Sequence, residues 1–137
     1  MGEGNLKLQV VTPTGSALDE VAKAVTAQSA LGEFCILPEH RPILTSLETG
    51  RMVVEQTDGR KAVYVLERGF LEGGPDHVSV ITQRCLDATE IDASAIKAEI
   101  GELEEQLKGL ETDDPARAET ESALRWARAC LANASKR

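Results

Sequence analysis

The sequence predicts a mostly-β protein with an α-helical end: a sandwich or barrel followed by an antiparallel helical hairpin. Two observations carry this. Short apolar segments recur to about residue 90, separated by turns rich in Gly, Pro and Asp. After Asp92 the apolar period lengthens from two to about 3.6 residues. The expected division is therefore residues 1–88 as the β domain and 89–137 as the hairpin.

Taken in order, LKLQVVT (6–12) alternates and stops at Pro13-Thr14-Gly15. Phe34–Leu37 and Ile43–Leu47 are strands around an excursion stiffened by Pro38 and Pro42. Each proline sets its own φ and keeps the preceding residue out of the helical region. MVVEQT (52–57) and KAVYVLE (61–67) flank Asp58-Gly59-Arg60, a hairpin turn where Gly59 accommodates a positive φ. FLE (70–72) and HVSVITQ (77–83) flank Gly73-Gly74-Pro75-Asp76. Aromatic residues are only 3% of the chain, so Val, Leu and Ile must fill the core.

In the helical part, Ile96, Ile100, Leu103 and Leu107 recur at intervals of 4, 3 and 4. Asp92 is the expected N-cap, and Gly109 the expected C′ residue with Leu110 beyond it. Asp113-Asp114-Pro115 restarts a helix, with acids at the cap and proline in the first turn. The second helix carries a seam of small residues, Ala116, Ala123, Ala127, Cys130 and Ala134, with Leu124 and Leu131 beside it. A short connection makes the two helices antiparallel, and alanines let their axes approach closely. Gly101 costs about 1 kcal/mol in a helix interior, so the hairpin needs a docking surface.

Charge and composition narrow the function. The net charge is −8, with 13 acids against 8 bases in residues 1–90 and 10 against 7 in 91–137. No basic stripe is available for nucleic-acid phosphates or anionic lipids, which points to a protein partner. No apolar run is long enough to cross a bilayer, and the start MGEGNLKLQV lacks a secretory pattern, so a cytoplasmic protein is expected. Cys35, Cys85 and Cys130 are odd in number and widely spaced, which disfavours disulfides and a metal site. They are expected to be reduced thiols that mostly pack as small hydrophobes.

The stretch GEFCILPEHRPILTSLETG (32–50) gathers the most chemically capable side chains. Cys35 and His40 could serve as nucleophile and base. However, Cys35 lies in the run Phe34-Cys35-Ile36-Leu37, where a thiol is expected to be buried and inert. Glu33, Glu39 and Glu48 have nothing that singles them out for acid–base work, and Gly69 and Gly73-Gly74 match no phosphate loop. Trp126 reads as a packing residue. The residues favour a stiff contact loop over a reaction centre, because a stiff loop loses little entropy on binding.

This stretch closely resembles the signature GE-x-GILPGH-x-PLLT-x-L-x-x-G of the epsilon subunit of bacterial F-type ATP synthases. Gly32, Glu33, Ile36, Leu37, Pro38, His40, Pro42, Leu44, Thr45, Leu47 and Gly50 match in order. Leu8–Pro13 resembles the family's VVTP strand, Gly69-Phe70-Leu71-Glu72 its GGFLEV, Val78–Ile81 its VTVL, and ALRWARACL its second helix. The resemblance implies a sandwich of about ten strands carrying a helical hairpin, without an active site, cofactor or metal. It implies a peripheral rotor subunit at the cytoplasmic face of the bacterial inner membrane, joining the gamma subunit to the ring of c subunits. Glu33, Pro38, Glu39, His40, Arg41 and Pro42 then form the docking loop on the c ring. In the family, an extended hairpin meets the catalytic alpha and beta subunits and blocks ATP hydrolysis. Arg117, Arg125 and Arg128, with Lys136 and Arg137, are the cations that would make such contacts here.

The chain departs from the pattern at several positions. Cys35, Glu39 and Arg68 stand where the family has glycine. Some members hold the hairpin folded with ATP, through a first helix beginning ID-x-x-RA and arginines on both helices. Here Ala95 and Ile96 replace the Arg-Ala pair, Trp126 and Cys130 replace second-helix arginines, and Glu102 falls at a basic position. Phosphates would be poorly compensated, so no ATP binding is expected. The alternative to a rotor subunit is a free-standing sandwich-and-hairpin interaction module. Stoichiometric association with a gamma-like rotor subunit separates the two.

Overall fold

The computed structural model describes residues 4–134. β1 (Leu6–Thr12) buries Leu6, Leu8 and Val10 and exposes the residues between them, as a half-buried strand must. It pairs antiparallel with β2 (Gly15–Ser29) and parallel with β8 (His77–Thr82). β2 is a 15-residue strand that the local sequence pattern does not predict. Its first half runs along β1; its second half pairs with β3 (Gly32–Ile36) and β5 (Gly50–Gln56). Irregular pairing between Ala22 and Ala24 marks the change of partners.

The other strands are β4 (Ile43–Leu47), β6 (Lys61–Leu66), β7 (Gly69–Gly73) and β9 (Cys85–Asp87). The nine strands join in one sheet of order β4-β7-β8-β1-β2-β5-β6-β9, with β3 on β2. The sheet wraps around one core, in which Leu6, Leu8 and Val10 share a cluster with Met52, Val54, Tyr64, Leu66, Leu71, Val78 and Val80. Apolar aliphatic residues dominate this interior, with Tyr64 at its margin. Gly59 has φ +90° in the β5–β6 turn, as the hairpin requires. Gly69 is needed for a different reason, because a Cβ there would collide with the Ile81 carbonyl oxygen.

A 3-10 turn (Ala88–Glu90) leads from β9 to α1 (Ala93–Lys108) and α2 (Pro115–Asn133). The Asp92 carboxylate caps α1 by accepting from the Ser94 and Ala95 amides at 3.0 and 3.2 Å. Asp114 caps α2 by accepting from Ala116 at 2.9 Å, with Pro115 in the first turn. Gly109 differs from expectation. It is the C-cap of α1 in right-handed geometry (φ −84°, ψ −4°), not a left-handed C′ residue. Its amide hydrogen-bonds back to Gln106 and Leu107, so the last turn tightens without a left-handed step.

Only α2 buries side chains: Leu124, Trp126, Ala127 and Cys130. Trp126 and Cys130 meet Val65 of β6 in a second cluster, bordered by Leu86, Ile91, Ile96 and Ala129. Trp126 is thus a packing residue, as its position in the sequence indicates. The half-buried apolar seam of α1 is carried against α2.

Candidate functional site

The 32–50 stretch does not fold into one site. β3 carries Glu33 at its start and stops at Ile36; the Pro38–Pro42 segment follows its other end. At a rise of about 3.3 Å per strand residue, Glu33 and Leu37 are some 13 Å apart. The structure therefore gathers Pro38, Glu39, His40, Arg41 and Pro42, and separates Glu33 from them.

The loop end is held by backbone bonds. The Glu39 amide donates to the Pro75 carbonyl at 2.6 Å and the His40 amide to Leu37 at 3.1 Å. Glu39 has φ +72° and Arg68 has φ +35°, so two of the glycine replacements fall in left-handed backbone. His40 is half-buried, and its Nδ1 lies 2.6 Å from the Arg41 carbonyl oxygen. A carbonyl only accepts, so Nδ1 carries the proton. Glu39, Arg41 and Pro42 are exposed.

Beside the loop, the β7–β8 turn holds a histidine that sequence reasoning missed. His77 Nε2 lies 3.0 Å from both Glu72 carboxylate oxygens, and Nδ1 lies 3.2 Å from Asp76 Oδ1. Bonds to Glu72 and then Asp76 favour the imidazolium and raise its pKa above the usual 6.5. The signal available in sequence was the spacing Glu72–Asp76–His77 across a turn.

At the opposite end, Glu33 pairs with Arg51 at 3.3 Å. Next to it, Leu31 at the tip of the β2–β3 turn is fully exposed (100%). Cys35 departs from expectation. It is exposed because strand alternation sends it away from the core that takes Ile36 and, in part, Phe34. Cys85 is half-buried and Cys130 buried, and burial pushes each thiol up to about 11.

Part of the outer face of β4, β7 and β8 is apolar. Leu44 is 76% exposed, Phe70 60% and Ile81 63%. Phe70 pairs with Ile81 across β7 and β8, and Val11 continues the row on β1. A groove lined by Ser46, Arg68, Phe70, Ile81 and Gln83 runs beside them. A bare cross-strand row of large apolar residues marks a contact surface.

On the hairpin, Arg125 is exposed. Arg117 lies 3.6 Å from Glu121, and Arg128 bonds Glu104 of α1 at 3.0 Å. Lys136 and Arg137 lie outside the described residues. Ala95 and Glu102 are exposed, whereas Ile96, Trp126 and Cys130 pack in the second cluster. Among the described residues, no group of three or more His, Cys, Asp or Glu is placed to hold a metal ion. None of the described helices is long and apolar enough to cross a membrane.

Residues 5–88 match the family model of the ATP synthase delta/epsilon chain β-sandwich domain. The chain belongs to the ATP synthase epsilon family. The ATP synthase epsilon chain of Geotalea uraniireducens is 40% identical over 119 residues, 87% of this chain and 86% of that one. That of Sulfurovum sp. is 30% identical over 81% and 86%. These alignments extend past the sandwich, so the likeness to epsilon chains includes part of the hairpin. Among solved structures, a chain of the Euglena gracilis mitochondrial ATP synthase (OSCP/F1/c-ring, rotational state 1) superposes with a TM-score of 0.80. It is 24% identical, with 94% of this chain and 81% of that chain covered. A chain of the Tetrahymena thermophila mitochondrial ATP synthase central stalk and c-ring gives a TM-score of 0.58 at 12% identity, covering 92% and 96%. At these identities the two structures establish the fold alone, a β-sandwich followed by two helices. The sequence expectation of about ten strands is met by nine.

Proposed function

We propose that this epsilon-family protein is a non-catalytic rotor subunit that couples a gamma subunit to a ring of c subunits, at the cytoplasmic face of a bacterial inner membrane. The observation that carries the reading is the bare row of Phe70 and Ile81, with Leu44 near it, on a chain of this family. Such a face fits the apolar surface of a permanent protein partner, which we assign to gamma. The polar loops of the c ring meet one or both ends of β3: the Leu31–Glu33 tip, and the loop of Pro38, Glu39, His40, Arg41 and Pro42. The tip is favoured, because Leu31 is wholly exposed while the His40 imidazole is engaged by its own backbone.

Residues 1–88 and 89–137 act as separate units in this scheme. The hairpin leaves the sandwich to restrain ATP hydrolysis, presenting Arg117, Arg125 and Arg128 to the alpha and beta subunits. ATP does not set its position, since Trp126 and Cys130 occupy the sites of nucleotide-binding arginines with apolar packing.

Measuring gamma affinity of a Phe70→Asp/Ile81→Asp variant tests the assignment. Loss of two central apolar anchors costs about 2 kcal/mol or more, some thirtyfold in affinity. Wild-type affinity in a folded variant would remove gamma from this face.

A further inference from the structure

The hairpin is fastened to the sandwich through a small area. α1 buries no side chain, and the second cluster has only Val65, Trp126 and Cys130 as fully enclosed members. Trp126 contributes the largest apolar surface, so docking depends on keeping its ring in place. One residue of the sandwich reaches that ring from the side. The Arg84 guanidinium carbon lies 4.5 Å from the Trp126 ring centroid, within the range of a cation–π contact.

Arg84 is itself aimed. Its Nε donates a 2.7 Å hydrogen bond to Glu67 Oε1, whose side chain is only 15% exposed. The backbone around both residues is cross-linked. The Glu67 amide donates to the Arg84 carbonyl at 3.0 Å, and the Gln83 amide to the Glu67 carbonyl at 3.2 Å. The buried Thr82 hydroxyl sits among the carbonyls of Glu67, Arg68 and Arg84 at 2.8–3.2 Å. Glu67 and Arg84 thus form a rigid base on the sandwich. The guanidinium, held by Glu67 on the sandwich, also reaches the Trp126 ring of α2.

We propose that Glu67, Arg84 and Trp126 form a latch that holds the hairpin closed, with Arg84 as the positioning residue. Glu67 orients the guanidinium, the guanidinium covers the Trp126 face, and the covered ring seals Cys130 against Val65. A planar, charged side chain suits this place because it stacks on the ring while keeping its ion pair. Release of the ring frees α2, and α1 follows because it has no buried anchor of its own. The latch concerns the closed hairpin of the isolated chain and stands whether or not a released hairpin restrains hydrolysis.

The chain carries its own reporters. Trp126 is the only tryptophan, and Cys130 is a buried thiol that becomes reactive when α2 leaves. Cys85 packs against the sandwich core and reports on that core instead. Iodoacetamide labelling of the full chain in a Cys35→Ser background, read peptide by peptide, follows both thiols separately. Removing the cation–π contact of the half-exposed Arg84 side chain is expected to shift the docking equilibrium by about twofold to fivefold. Arg84→Ala should therefore accelerate Cys130 labelling by that factor and move Trp126 emission to the red, with Cys85 labelling unchanged. Glu67→Gln, which keeps the ring contact but loosens its aim, should give a smaller acceleration at Cys130 alone. An unchanged Cys130 rate in Arg84→Ala would overturn the latch. So would equal acceleration at Cys85 and Cys130, which would make Arg84 a stabiliser of the whole fold.

Discussion

The Glu39 amide nitrogen donates a 2.6 Å hydrogen bond to the Pro75 carbonyl oxygen, tying the β3–β4 loop to the β7–β8 turn. Glu39 makes this bond with φ at +72°, a conformation that suits glycine. The loop keeps its shape although its side chain opposes it.

Glu39→Gly and Arg68→Gly should therefore each stabilise the protein. Left-handed backbone costs an L-residue about 1–2 kcal/mol, and the greater unfolded freedom of glycine offsets about 0.5–1 of that. The expected gain is about 0.5–1 kcal/mol per site, read as a higher urea midpoint at unchanged slope. A fall in midpoint would mean that the glutamate or arginine side chain contributes more than its backbone costs.

His77 should make stability pH-dependent. Its pKa is raised in the folded state by Glu72 and Asp76. A raised folded pKa adds stability that is complete below the unfolded value of 6.5 and is lost as pH rises through the folded value. Urea midpoints should fall across that interval in the wild type, and the fall should diminish in His77→Gln. Equal slopes in the two proteins would show that the exposed ion pairs are screened to nothing.

The two ends of β3 make different predictions for coupling. Leu31→Asp should weaken attachment to the c ring and lower ion-driven ATP synthesis severalfold, while hydrolysis by the detached catalytic head is unaffected. His40→Ala should have the smaller effect, because the imidazole bonds its own backbone at 2.6 Å. Reconstituted synthesis and hydrolysis assays on both variants check this; the reverse order of effects would move the contact to the His40 loop.

Deleting residues 89–137 should leave a cooperatively folded sandwich, because the main core cluster contains no helical residue. Val65 loses its cover and the melting temperature drops, yet one transition remains. In the assembled complex the deletion should raise ATP hydrolysis and spare synthesis. Unchanged hydrolysis would make the hairpin structural rather than restraining.

These expectations rest on parts of the fold that differ in how plainly the sequence shows them. β1 and β4 are legible to the residue, because LKLQVVT alternates up to Pro13 and ILTSL begins directly after Pro42. Both helix starts are legible because Asp92, Asp114 and Pro115 are strong local signals. β2 is not. Its sequence GSALDEVAKAVTAQS is rich in alanine, a helix former, and becomes strand only through pairing with β1, β3 and β5. Three-residue β9 is likewise made by its partner β6.

The site shows the same division. The 32–50 motif identifies a contact region, but closeness along the chain hides that Glu33 sits at the start of β3 and His40 beyond its other end. Alternation, applied to Cys35, would have placed it outward. Nothing local announces the Arg84–Trp126 contact, which joins residues 42 positions apart through the docking of α2.

Isolation of the tagged chain from membranes of its own cell tests the rotor assignment most directly. The chain should carry a gamma subunit and c ring in fixed stoichiometry, and the gamma content should collapse in the Phe70→Asp/Ile81→Asp variant. Recovery of the wild-type chain free of gamma and c subunits would leave a free-standing interaction module instead.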